Sequence, residues 1–214
     1  MTASAILLDL DRTLVDLQSA TDYAAALRDV QAIIGAWPEA DVPDTDWDRP
    51  TQACMSVLHS LLGDLRWHQV SDAIAVHERA ACPKSFVMPT VPDALATLAI
   101  MPTAVVTLLP PDVARDVLTR NGIGIGPGQP VDLVVGRDAE IRPKPFPDGI
   151  LVACELLDVR PEDATMIGDS TWDLEAAVNA GADFIGIPAG TGVFGPDVRV
   201  ARSLAEAVRL AAGG

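Results

Sequence analysis

The chain has 214 residues, 49% of them hydrophobic and only 4% aromatic, so aliphatic side chains must fill most of a globular core. A formal net charge of −15 argues against nucleic-acid binding and against docking on anionic lipid, since both need a basic face. It leaves room for an anionic small substrate, because a bound divalent cation and a few placed donors reverse the field locally.

Residues 5–10 read Ala-Ile-Leu-Leu-Asp-Leu, which predicts a buried strand with a polar tip. No strand is expected between residues 16 and 88. Helices are predicted there over 20–35, 51–62 and 67–81, and three of the four tryptophans, Trp37, Trp47 and Trp67, lie in this stretch. An all-helical stretch directly after the first strand predicts a small cap domain, 17–86, over an α/β core made of 1–16 and 87–214. Further apolar runs at 103–107, 131–135, 164–169 and 182–187 alternate with helical patterns at 92–99, 112–121, 147–157 and 172–180. Pro110 and Pro111 suit the first turn of a helix, and Gly122 and Gly181 stand where C-terminal caps belong. This alternation predicts a five-stranded, parallel, Rossmann-like sheet with helices on both faces. Ligands in such sheets bind beyond the carboxyl ends of the strands. The glycine-rich stretch 189–196 is expected to be a loop at the mouth.

Cys54, Cys82 and Cys154 are odd in number and widely spaced, which predicts reduced, packed thiols. The start of the chain has no basic region, and no segment is long and apolar enough to span a membrane, so a soluble cytoplasmic protein is expected.

Four clusters carry potential chemistry. Asp9 and Asp11 sit two apart at a strand end, a spacing that serves magnesium binding or a split between nucleophile and acid/base; loop solvation and helix capping use the same residues. Asp169 and Asp173, in Gly-Asp-Ser-Thr-Trp-Asp, follow an apolar run and open a helix, where an acidic first turn also favours the helix dipole. Lys144 lies in Arg-Pro-Lys-Pro-Phe-Pro, a stiff segment able to hold a side chain in place. Thr107 ends the second predicted core strand.

In this order, Asp-x-Asp-x-Thr, a strand-end Thr, Lys-Pro-x-Pro and Gly-Asp-Ser-x-x-Asp resemble the four motifs of the haloacid dehalogenase superfamily, in its capped phosphatase branch with phosphoglycolate phosphatase-like members. The resemblance runs from residue 5 to about 212. It implies Asp9 as nucleophile, Asp11 as general acid/base, and Thr107 and Lys144 on the phosphoryl oxygens. It implies magnesium on the Asp9 carboxylate, the Asp11 backbone carbonyl and Asp169, with Asp173 orienting Lys144 or a metal-bound water. The expected substrate is a small phosphorylated metabolite. An acid at position 11 separates phosphoryl transfer from dehalogenation. A phosphosugar mutase shares all four motifs, and a non-catalytic binding protein could keep the fold.

Two departures stand out. Arg12 replaces the usual glycine, and either points outward, contacts an anionic substrate or impairs the site. Leu108 replaces a frequent asparagine, which removes a polar group near the site. His59, His68 and His77 of the predicted cap read as surface or core residues. Arg66, Arg79 and Lys84 read as solvated, or as partners for a substrate carboxylate.

Overall fold

A computed structural model describes residues 3–38, 40–188 and 194–213. The central sheet has five parallel strands: β1 (Ala5–Leu8), β4 (Thr103–Val106), β5 (Leu133–Val135), β6 (Ala164–Gly168) and β7 (Asp183–Gly186), in the order β5-β4-β1-β6-β7. The chain lays down one flank, returns through the centre and lays down the other. The strand order therefore reverses beside β1, and a crevice opens at its carboxyl end.

Alternate residues of β1 enter different layers, as a period of two requires. Ile6 and Leu8 pack with Val105 and Ile167 against α4 (Pro92–Leu98), α5 (Pro111–Arg120) and α8 (Leu204–Ala211). Ala5 and Leu7 pack with Ala104 and Met166 against α6 (Asp148–Leu156) and α7 (Thr171–Ala180). All four β1 side chains are fully buried, which is why this strand reads as a continuous apolar run. At the end of α7, Gly181 takes a left-handed φ of 77° and closes the helix.

Between β1 and β4 lie α1 (Tyr23–Ile34), α2 (Arg49–Ser60) and α3 (Trp67–Ala81). Asp22 and Asp48 cap the first two through Ala25 N and Thr51 N, at 2.8 and 2.9 Å. Their apolar faces, with Val30, Leu58, Leu61 and Ile74, form a cluster that also takes in Trp172 from α7. The expectation of no strand here needs one correction. β2 (Val15–Asp16) and β3 (Phe86–Val87) pair antiparallel, tying the outgoing chain to the returning one. Two-residue strands are too short to show a period. Among the described residues no helix is long and apolar enough to cross a membrane. Cys54, Cys82 and Cys154 are free and buried. Of the expected mouth loop, residues 189–193 lie outside the described residues.

Candidate active site

The three central strands deliver their ends to one crevice. Asp9 follows β1, and its N–H still bonds Ile167 O at 2.9 Å, which fixes the carboxylate at the sheet's carboxyl end. Thr107 follows β4, held by its N–H on Val135 O at 3.0 Å. Asp169 follows β6. Lys144 reaches in from the loop before α6, and its Nζ donates to Asp9 Oδ1 and to Asp173 Oδ1, each at 2.5 Å. Asp9, Thr107, Lys144, Asp169 and Asp173 are all at most 6% exposed.

The Gly-Asp-Ser motif has a steric logic. Asp173 folds back so that its Oδ2 accepts from Ser170 N at 3.1 Å and Ser170 Oγ at 2.6 Å, a capping box at the start of α7. A Cβ on Gly168 would stand 2.5 Å from Asp173 Cγ, so only glycine leaves room for this carboxylate. Asp173 thus spends one oxygen on the helix and the other on Lys144.

Electrostatics set the carboxylates apart. Burial pushes Asp9 up to about 6 from 3.8, although the Lys144 charge works against this. Burial likewise lifts Asp11 to about 7, with the N–H groups of Gln18 and Leu17 holding it down on Oδ1 at 3.0 and 2.9 Å. Asp169 is also raised, by burial first and then by the neighbouring Asp9 and Asp173 charges. Burial opposes the Lys144 charge, but Asp173 and Asp9 outweigh it and keep the ammonium protonated far above neutrality.

One carboxylate oxygen each from Asp9, Asp169 and Asp173 lie within 4.8 Å of one another. Asp169 Oδ2 is buried and makes no hydrogen bond among the described residues. An all-oxygen set in which one anionic oxygen has no hydrogen bond and, among the described residues, only the Arg12 guanidinium, 3.4 Å away, as an ion-pair partner suits a hard divalent cation such as magnesium. Asp173, with both oxygens engaged, is the least available of the three.

Arg12 adopts φ 63°, the left-handed region that favours glycine. Its guanidinium bonds Asp46 Oδ2 at 2.9 Å, and its Nε stands 3.4 Å from Asp169 Oδ2. It is not among the residues that line the cavity described below.

The helices between β1 and β4 sit on the crevice through contacts that sequence reading missed. Arg137, just after β5, forms a buried two-pronged ion pair with Glu78 of α3 at 3.1 and 2.9 Å, and also bonds Ser71 Oγ at 3.1 Å. Trp172 Nε1 donates to Pro43 O at 2.8 Å. His59 Nε2 meets the Lys144 carbonyl at 2.8 Å, so the ring carries its proton there; burial lowers its pKa. Trp172 and Lys144 lay inside recognised motifs, but each of these contacts joins residues far apart in sequence.

Between crevice and helices lies a cavity of about 40 Å³ open to water centres, lined by Asp9, Asp11, Thr107, Lys144, Asp169 and Ser170 below.

The haloacid dehalogenase-like hydrolase family matches residues 3–181, and the chain belongs to that family. Phosphoglycolate phosphatase of Escherichia coli (strain K12) is 27% identical over 150 residues, 69% of this chain and 54% of that protein. Phosphoglycolate phosphatase of Psychrobacter arcticus is 41% identical over 66 residues, 31% of this chain and 28% of its relative. The chain thus spans about half the length, or less, of these curated relatives. Among solved structures, a hydrolase from Pseudomonas syringae superposes with a TM-score of 0.72 at 20% identity, covering 96% of both chains. CbbY from Rhodobacter sphaeroides, crystallised with phosphate, gives 0.69 at 23% identity, again covering 96% of both. These likenesses define the fold.

Proposed function

We propose that this chain is a magnesium-dependent phosphatase that hydrolyses a small phosphorylated metabolite through an aspartyl-phosphate on Asp9. The observation that carries the reading is the Asp9 carboxylate, buried at the strand end with Lys144 Nζ 2.5 Å away and the Asp169 carboxylate beside it, whose Oδ2 makes no hydrogen bond among the described residues. The curated relatives named phosphoglycolate phosphatase support phosphomonoester chemistry.

Asp9 attacks phosphorus in line with the leaving oxygen. Both partners are anionic, so their repulsion must be offset first. Lys144 supplies one positive charge, held in place by Asp173. Magnesium, held by Asp9, Asp169 and the Asp11 carbonyl, would supply the rest by neutralising phosphoryl charge. Thr107 is placed to donate to a phosphoryl oxygen. Asp11 is protonated below about pH 7 and gives its proton to the departing alkoxide. As a carboxylate it then takes a proton from the water that hydrolyses the aspartyl-phosphate. Residues 17–86 act as a cap that excludes bulk water and strengthens these charges. The β2–β3 ribbon, which joins both cap connections, is the hinge.

Asp11→Asn should lower kcat/KM, which reports phosphoryl transfer and not the later hydrolysis of the aspartyl-phosphate, by roughly 10²–10⁴-fold on alkyl phosphates and by under about tenfold on aryl phosphates with good leaving groups. Steady-state assays with both classes at pH 6.5 check this; equal losses would remove Asp11 from the acid role.

Asp169→Asn tests the metal site without turnover. Burial raises the native Asp169 pKa above its unfolded value. The charged form therefore weakens the fold, and stability falls as pH climbs from 3.8 toward the native value. Removing the charge should raise the magnesium-free melting temperature at pH 7.5 by roughly 2–8 °C. It should also abolish the stabilisation that magnesium gives the unaltered protein. Thermal melts with and without magnesium decide it; an unchanged magnesium response in Asp169→Asn would place the metal elsewhere.

A further inference from the structure

The cavity's upper wall narrows the substrate, an inference that rests on the phosphatase reading above. Beyond the crevice residues, the wall is formed by Gln18, Tyr23, Trp47, Thr51, Met55, Leu108 and Leu109. Lys144 is the one cation among these described lining residues, and it already faces Asp9 and Asp173. The arginines that a substrate carboxylate might seek are turned elsewhere. Arg12 does not line the cavity and is held by Asp46 and Asp169, Arg66 pairs with Asp64 and lies over the Trp37 ring, Arg79 pairs with Asp112, and Arg137 is buried on Glu78. A carboxylate or second phosphate on the leaving group would enter this space beside Asp9, Asp11 and Asp169 with no cation of its own, and an uncompensated buried charge is strongly disfavoured. Leu108 adds to this: it puts an apolar side chain where the sequence pattern often has an amide.

One buried hydroxyl in the wall makes no hydrogen bond among the described residues. It is Oγ1 of Thr51, in the first turn of α2, a residue 3% exposed. Its N–H is taken by the Asp48 cap. A buried hydroxyl is ordinarily satisfied, and this one lines the cavity.

We infer that the substrate is the phosphate ester of a small uncharged alcohol, with its carbon skeleton against Trp47, Met55 and Leu108 and a further hydroxyl on Thr51 Oγ1. Phosphoglycolate and bisphosphates are then poor substrates, whatever the relatives act on.

Three two-carbon esters isolate the point: ethylene glycol monophosphate, ethyl phosphate and phosphoglycolate, assayed on the magnesium-loaded intact chain beside an aryl phosphate. Ethylene glycol monophosphate should exceed phosphoglycolate in kcat/KM by about 100-fold or more. Thr51→Val should lower its kcat/KM roughly 10- to 100-fold and bring it to the level of ethyl phosphate, whose own value changes less than about twofold. Thr51→Ser, which keeps the hydroxyl, should retain the preference. Phosphoglycolate turned over as well as the glycol ester, or a Thr51→Val loss equal on both neutral esters, would overturn the inference while leaving the phosphatase reading intact. If no ester is hydrolysed, the aryl phosphate included, the phosphatase reading fails and this inference falls with it.

Discussion

Asp9→Asn should lower kcat by at least about 10⁴-fold without unfolding the chain. Asparagine has nearly the same shape and keeps an oxygen able to accept from Lys144. Only the charge and nucleophilicity go. The main-chain anchor from Asp9 N to Ile167 O is untouched, so the β1 end stays in register. The loss should be equally severe on alkyl and aryl phosphates, because attack on phosphorus fails whatever the leaving group. That sets Asp9 apart from Asp11, whose loss discriminates between the two. Activity of pure Asp9→Asn within about tenfold of the unaltered enzyme would dismiss the covalent route.

Lys144→Met should cost roughly 10²–10³-fold in kcat/KM and also destabilise the fold by about 3–5 kcal/mol. Both effects come from one position. The ammonium is the counter-charge to Asp9 and Asp173, and among the described residues neither carboxylate has another cation at comparable distance. Without it two buried anions face each other. A second change separates the roles: Asp173→Asn in the Lys144→Met background removes one of the stranded charges. The double variant should regain about half or more of the lost stability while its kcat/KM stays low. Urea denaturation and steady-state kinetics on both variants read this out. A double variant that recovers turnover along with stability would make Lys144 a structural residue only.

The core of the molecule was legible because its constraints are local. A strand buried on both faces must be apolar throughout, so runs such as 5–10 and 164–169 announce themselves. The acids ending them are conspicuous against that background. Asp9, Thr107 and Asp169 meet because parallel strands bring their carboxyl ends to one side, and this follows from the order of elements alone. The helices between β1 and β4 were legible through length and periodicity. Four features were not. The β2–β3 ribbon is two residues deep on each side. The helix Leu204–Ala211 was not among the expected elements, although Ser203 caps it through Glu206 N at 3.1 Å and its apolar stripe meets the sheet. The Arg137–Glu78 pair joins residues 59 apart, a contact decided by how the helices dock. Trp172 occupies a variable position of a recognised motif, yet it is fully buried, donating to Pro43 O and lying against the Trp47 ring at 4.9 Å. Arg12 shows a mixed outcome. The motif flagged a missing glycine, and φ 63° gives the reason glycine suits that turn, but its partner Asp46 had no signature in the sequence.

The central claim is a covalent bond between Asp9 and the phosphoryl group, and trapping that bond tests it most directly. The magnesium-loaded chain is mixed with excess aryl phosphate, quenched in acid within one turnover, and reduced with borohydride, which converts an aspartyl-phosphate to homoserine. Peptide mass spectrometry then locates the product. The account predicts homoserine at position 9, in an amount that follows the burst of released phenol, and none in Asp9→Asn. A full burst of phenol with an unmodified Asp9 would contradict it.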